Sequence, residues 1–370
     1  MSNPRRIDSI DIFRGITISL MIIVNNPGSW GSVYSPFLHA KWHGCTLTDL
    51  VFPFFLFLVG ASTRFAFVRW HYYASKQFYQ HIFWRSFSIF MVGILLNAFP
   101  FIRQDWDWTT FRIMGVLQRI AIAYGISSLL IIWYDFKTLV KIICSLLLFY
   151  WAALFFGGSG DPYSLETNFS RNFDIFIFGE KHLYQGFGLS FDPEGIFSTI
   201  PSIATVLIGY LMGGMLHTTK NYNDCTKRMA VFGFTLVIIG YIWGFIFPIN
   251  KPLWSSSYVL FSGGIAALVL ALLTYLIDIK NFKKPFWFFK IFGTNSIFLF
   301  LLSGLWTKTI LSIQLNLDGK MVNGYHYLFK TIFLPLAGSF NGSLLFALAH
   351  LIGFWLILLW MYKKEIRIKL

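Results

Sequence analysis

Charge is scarce in this chain of 370 residues: Asp, Glu, Lys and Arg make up 12% of it, about half the ~25% of soluble domains. With 56% hydrophobic and 20% aromatic residues, too little polar surface is left to cover a water-soluble globule. The same composition excludes a disordered, collagenous or coiled-coil chain. Cysteine is equally sparse. Cys45, Cys144 and Cys225 are scattered and odd in number, which excludes a disulfide framework and zinc spacing and leaves small apolar packing as their expected role. No internal repeat is present, nor a pair of broken helices of the transporter kind. A secretory signal is not expected either. Arg5 and Arg6 precede an apolar stretch, but Asp8 and Asp11 interrupt it and Asn25-Asn26-Pro27 replaces a small-residue cleavage site, so the segment is expected to stay as a first span.

What is present is a series of long apolar segments. A spanning helix needs about 20 mostly apolar residues, and ten segments qualify: 8–25, 47–68, 81–99, 112–133, 138–156, 196–216, 228–247, 256–277, 287–306 and 343–361. The expectation is an all-α integral membrane protein, one bundle of about ten transmembrane helices forming a single domain over 1–370. The region 326–340, with Pro335 and Gly338, is short for a span and reads as a re-entrant or buried piece. A net charge of +14 on a soluble protein would suggest nucleic acid. In a membrane protein Lys and Arg mark cytoplasmic loops, and nucleic acid is not an expected partner. With both termini inside, the whole +14 falls on the inner face and the outer face sums to zero. Inner clusters are Arg64/Arg69/Lys76/Arg85, Lys280/Lys283/Lys284 and Lys363/Lys364/Arg367/Lys369. Two loops, 26–46 and 157–195, are too long for connectors, and long irregular loops often carry function. Both fall on the outer side.

The densest group of polar and titratable residues runs from the first span into the second: Asp11, Arg14, Asn25, His39, Trp42, His43, Thr48, Asp49 and Pro53. Histidine exchanges protons near neutral pH. A carboxylate such as Asp49, ten residues on, suits the orienting role that an acid plays toward a catalytic imidazole. The plainer alternatives are a solvated loop histidine and an N-cap at the start of span two, a role for which Thr48 competes. His39 and His43, four apart, resemble half a metal site, but Pro36 and Gly44 disfavour a helix between them and no third ligand is adjacent. No metal is expected. Arg112 and Arg119, seven apart with Gln118 adjacent, are expected on one helix face. There they would need an anionic ligand or internal acids. Lys251, Trp254, Ser257 and Tyr258 lie near the outer interface, where rings and hydroxyls suit a sugar or simply an aromatic belt. Asn295, in span nine, and His350, in span ten, suit helix packing as well as chemistry.

These residues resemble the heparan-α-glucosaminide N-acetyltransferase family, whose bacterial members are called NagX-like. The resemblance is carried by Asp11-x-x-Arg14-Gly15, Val24-Asn25, His39-Ala40-x-Trp42-x-Gly44, Asp49-Leu-Val-Phe-Pro53, Gly115-Val-Leu-Gln118-Arg119, Lys251-x-Leu-Trp254-x-x-Ser257-Tyr258 and Asn295-Ser296. It runs in order over most of the chain. It implies transfer of acetyl from cytoplasmic acetyl-CoA to the amine of a glucosamine-type sugar across the membrane. His39, Asp49 and Asn25 then stand as catalytic residues. Trp42, Gln118, Arg119, Lys251, Trp254, Ser257 and Asn295 are expected to bind the acceptor. Arg14, Arg64 and Arg85, chosen by charge and side, are expected to hold acetyl-CoA. Either direct transfer or an acetyl-histidine intermediate fits. The luminal region and extra first span of the lysosomal member have no counterpart in these residues, which favours a bacterial cytoplasmic membrane. Asn26-Pro27-Gly28-Ser29-Trp30 replaces a Gly-rich stretch of that relative. Competing readings are an amino-sugar carrier without chemistry and O-acylation of an envelope polysaccharide. Expected partners are acetyl-CoA, an amino sugar or glycan, the lipid bilayer and, left open, a second copy of the chain.

Overall fold

A computed structural model describes residues 7–69, 75–100 and 107–368. Arg5, Arg6 and Lys369 lie outside these residues, as does the side chain of Arg69. The helices are α1 (Asp8–Asn25), α2 (Val51–Arg69), α3 (Lys76–Ala98), α4 (Val116–Trp133), α5 (Phe136–Gly157), α6 (Phe169–Phe178), α7 (Thr199–Thr218), α8 (Tyr222–Trp243), α9 (Ser256–Leu273), α10 (Trp287–Thr294), α11 (Ser296–Ser312), α12 (Gly324–Leu328) and α13 (Leu334–Lys363). Short polar side chains start several of them, as the unpaired N–H groups of a first turn require. Ser75 accepts from Phe78 N, Asp135 from Thr138 N, Asn168 from Arg171 N, and Ser255 from Tyr258 N.

Among the described residues, eight helices are long and apolar enough to cross a membrane. A ninth arises if the segments Lys284–Thr294 and Ser296–Ser312, bent by 72°, form one span. The first expected span, α1, is helical over 18 residues but carries Asp8, Asp11 and Arg14. The fold is therefore the expected all-α membrane bundle in kind. A small hairpin departs from it. Gln314–Leu317 and Lys320–Asn323 pair antiparallel through Asp318-Gly319, both at positive φ, as a two-residue turn between twisted strands demands.

The centre is α7, which is buried along nearly all of its length, whereas α3, α5 and α8 turn most of their surface outward. Without water to drive helices together inside a bilayer, close van der Waals approach does the work, and small residues permit it. A Cβ on Gly60 of α2 would collide with the Val206 carbonyl of α7, and one on Gly209 or Gly213 with the carbonyls of Phe57 or Ala61. Gly15 of α1 and Gly293 of α10 meet in the same way through Phe289 and Asp11. Cys225 is buried, as expected, but Cys144 is exposed on α5.

Residues 324–363 are helical except at Gly338, whose φ of 75° breaks the run. The ring of Phe346 then packs against Tyr325, Phe329 and Phe333, at 4.7, 6.4 and 5.1 Å between centroids. The short apolar segment thus folds back along the final helix.

The α2–α7 seam sets the position of the α2 N-terminus. Replacing Gly209 by Leu would force two backbones apart, at a cost of at least the ~1–3 kcal/mol of ordinary overpacking. Thermal unfolding of the detergent-solubilised protein should show a clearly lower midpoint for Gly209→Leu. An unchanged midpoint would contradict direct backbone packing.

Candidate active site

Asp49 sits in the turn Thr48–Leu50 that opens into α2, and its side chain is 2% exposed. A buried carboxylate needs donors on both oxygens. Oδ2 accepts from the backbone N–H of Ala40 and of Thr46 and from Thr46 Oγ1, each at 3.0 Å. Reaching back to Thr46, three residues earlier, is the gesture of an acid at a helix start, so the expected capping role is present in part. Oδ1 faces His39 Nδ1 at 2.6 Å. A carboxylate only accepts, so Nδ1 carries the hydrogen and Nε2 keeps its lone pair. The His39 side chain is 47% exposed. Lys251 Nζ stands 3.7 Å from Asp49 Oδ1 and 3.2 Å from the same ring nitrogen. Burial lowers the pKa of Lys251, while Asp49 and Glu194 act in the opposite direction.

Three loops bring these groups together. The segment 26–47 is joined to the α8–α9 connection by Gly44 N–H donating to Ile249 O at 2.7 Å. Trp42 Nε1 donates to Tyr163 O at 2.9 Å, and its ring packs edge-on to Phe187 and Phe191, which ties the segment to the loop 158–198. Asn250, fully buried, accepts from Leu253 N and turns the chain at Lys251. The hydroxyl of Tyr258 on α9 donates to Asp49 O at 2.5 Å.

A cavity of about 380 Å³ opens among them, within the ~300–1,000 Å³ of small-molecule sites. His39, Asp49 and Lys251 line one part, Arg112 and Glu194 another, and Tyr184, Phe187 and Trp254 supply rings. Trp254 is 1% exposed and has φ of 53°, a left-handed conformation that costs a non-glycine residue of order 1–3 kcal/mol. Its burial offsets that cost: Nε1 donates to Thr205 Oγ1 at 3.2 Å, and the ring meets Phe52 and Tyr258 edge-on. The Arg119 guanidinium lies 4.9 Å from its ring centre.

Arg112 and Arg119 do not share a helix face. Residues 111–115 are non-helical, and α4 starts only at Val116. Asn97 Nδ2 donates to Arg112 O and Met114 O, and Gln118 Nε2 to Ile113 O, which satisfies this stretch without helical bonds. Arg112 instead pairs with the loop: Nε and Nη2 donate to the two oxygens of Asp192 at 2.8 and 2.7 Å, and Nη2 also to Glu194 Oε2 at 2.7 Å. These acids raise its pKa against burial, which would lower it. Arg119 is fully buried and donates to Gly195 O and Ser198 Oγ. Its Nε and Nη1 find no acceptor among the described residues.

Other expected residues fall elsewhere. Asn25 ends α1, is exposed, and does not line the cavity, whereas the adjacent Asn26 is buried and bonds Ile22 and Thr307. Ser257 Oγ donates to Phe247 O. Asn295, at the α10–α11 bend, bonds the backbone of Ile366 and Ile368. Arg14 donates to Asp11, Ser62 and Gly293. Arg64 donates to Tyr210, and Arg85 stacks over Tyr124. Arg64 lies 15 residues below Asp49, about 22 Å along the helix axis, so it occupies the opposite end of α2 from the cavity. Among the described residues no group of three or more His, Cys, Asp or Glu could hold a metal ion. Glu194 and Tyr184 were absent from the expected site. The only signal for them was an acid-rich long loop with a single Asp-Pro-Glu-Gly turn.

The Arg112–Asp192 pair fixes that loop. Arg112→Gln strands the fully buried Asp192 side chain without its counter-charge, a loss of about 3–5 kcal/mol. The variant should melt well below the parent, and adding Asp192→Asn should recover much of the difference. A single variant that melts like the parent would show the pair to be dispensable.

A family model described as "Heparan-alpha-glucosaminide N-acetyltransferase, catalytic" matches residues 6–252. The stretch contains His39, Asp49, Arg112, Glu194 and Lys251. The mouse protein named heparan-alpha-glucosaminide N-acetyltransferase is 30% identical over 360 residues, covering 81% of this chain and 53% of its own length. The human protein of that name is 30% identical over 358 residues, covering 80% and 52%. The chain therefore spans about half the length of these relatives. Matched over two thirds of its length by the catalytic model, and laid out as a helical membrane bundle with a histidine–carboxylate pair at one mouth, the chain belongs to the heparan-alpha-glucosaminide N-acetyltransferase family.

Proposed function

We propose that this protein is a transmembrane acetyltransferase that moves acetyl from cytoplasmic acetyl-CoA to the amine of a glucosamine-type sugar on the far side of a cytoplasmic membrane. Counting α1 and the bent α10–α11 pair with the eight long apolar helices makes ten spans, with both termini inside and the cavity outside. Its support is the asymmetry of basic residues. The observation that carries the chemistry is the His39–Asp49 pair, with an open Nε2 in a cavity large enough for a sugar.

In this reading the amine nitrogen attacks the thioester carbonyl while His39 Nε2 takes a proton from it. The new C–N bond forms and the C–S bond breaks. The proton then passes from the imidazolium to the departing thiolate, giving the amide and CoA thiol. Asp49 holds Nδ1–H and stabilises the imidazolium, as the acid of a triad does. The tetrahedral intermediate needs a donor for its oxyanion. The Lys251 ammonium, beside the imidazole, meets that need better than the exposed Asn25, which lies outside the cavity lining. Arg14, Arg64 and Arg85 are the groups assigned to the nucleotide phosphates. Their cationic side chains, with Arg64 about 22 Å along α2 from the cavity, fit an anionic donor approaching from the other compartment.

Purified protein supplied with acetyl-CoA and glucosamine should form N-acetylglucosamine by mass spectrometry. His39→Ala should lower turnover by about 10²–10⁴, and Asp49→Asn by a similar factor through loss of the tautomer. Thermal unfolding of both variants checks that the fold is retained. Near-parental acetylation by a folded His39→Ala protein would overturn the mechanism.

A further inference from the structure

The charged groups that face the cavity are not equally supplied with hydrogen-bond partners. Asp49 is served by His39, Lys251 and three donors from Ala40 and Thr46. Arg112 is taken up by both oxygens of Asp192 and spends only a shared Nη2 on Glu194 Oε2. With the imidazole neutral, the lining charges of Asp49, Glu194, Arg112 and Lys251 sum to zero, but Glu194 is the acid among them that keeps an oxygen without a donor. Its side chain is 13% exposed and lines the same cavity as His39. Its Oε1 receives no hydrogen bond among the described residues and is not sealed from the cavity. Arg119, the remaining cation near it, is sealed beneath Trp254 and does not line the cavity.

A carboxylate oxygen left open favours a charged hydrogen-bond donor, here on a ligand that shares the cavity with the imidazole. The Tyr184 and Phe187 rings on the cavity lining offer the apolar face that a sugar ring stacks on. We propose that Glu194 binds the protonated amine of the acceptor, which releases one proton to bulk water before the neutral nitrogen attacks, and is the residue that makes the cavity select amino sugars over neutral ones. The proposal rests on the acetyl-transfer reading for its substrate class, but its test needs no turnover.

Equilibrium binding of glucosamine and of glucose to the full chain, without acetyl-CoA, should be compared for the parent and Glu194→Gln. The glutamine oxygen can still accept from Arg112, so the loop keeps its anchor. Glucosamine should bind the variant about tenfold to a hundredfold more weakly, the range for a hydrogen bond to a charged group. Glucose affinity should stay within about twofold. In turnover assays KM for glucosamine should rise by the same factor while kcat stays within about threefold. Equal weakening of both sugars, or no weakening, overturns the proposal. If the variant does not fold, the pH profile of glucosamine binding to the parent decides. Affinity should drop as pH rises through the titration of the free sugar's amine, and a flat profile overturns the assignment. A parent protein that binds glucosamine as described but never acetylates it would refute the transfer reading while leaving the amine subsite intact.

Discussion

The architecture of the cavity mouth depends on one buried anion. Removing a carboxylate from water costs several kcal/mol unless its lone pairs are met. Asp49 meets them from separate parts of the chain: the 26–47 segment supplies His39, Ala40 and Thr46, and the α8–α9 connection supplies Lys251. Through its backbone carbonyl it also receives Tyr258 from α9. No one of these segments holds the others in place alone. Their convergence on Asp49 determines where the imidazole points and which ring nitrogen is left open.

That constraint works because α2 is itself held. Its glycine seam against α7 brings two backbones into contact, so the turn at its N-terminus is anchored to the most enclosed helix of the bundle. The floor of the cavity is equally committed. Trp254 accepts an unfavourable backbone conformation to lay its ring over Arg119 and against Phe52. Arg112 and Asp192 fix the loop that brings Glu194 onto the cavity lining. Rigid walls of this kind suit a reaction in which positioning supplies much of the rate.

Much of this was legible in the residues. Scarce charge and long apolar runs give the membrane bundle directly, and the spacing of His39 and Asp49 on either side of a span boundary gives the central pair. Lys251 and Trp254 were also found. Other parts were hidden for physical reasons. The span count from hydropathy ignores that α1 carries three charged side chains, and that α10 and α11 bend by 72°. Arg112 and Arg119 have helical spacing, but the main chain of 111–115 is bonded by Asn97 and Gln118 side chains instead. Periodicity cannot show such tertiary substitution. Glu194 became visible only when the long loop folded over the mouth, because a salt bridge 82 residues apart leaves no local pattern. Asn25 shows the reverse: a polar residue at a span end belonged to the helix terminus rather than to the cavity, and its neighbour Asn26 took the buried place. The Gly209-x-x-x-Gly213 spacing is itself a packing signal of closely approaching membrane helices.

The central claim is that Asp49 holds His39 with its proton on Nδ1 and a lone pair on Nε2. Nitrogen-15 NMR of the protein labelled at histidine, with His39→Gln used to assign the resonance, tests it directly at a pH where the imidazole is neutral. The account predicts a protonated Nδ1 and an unprotonated Nε2 for His39, with the preference weakened in Asp49→Asn. A His39 resonance showing Nε2 protonated in the parent protein would contradict it.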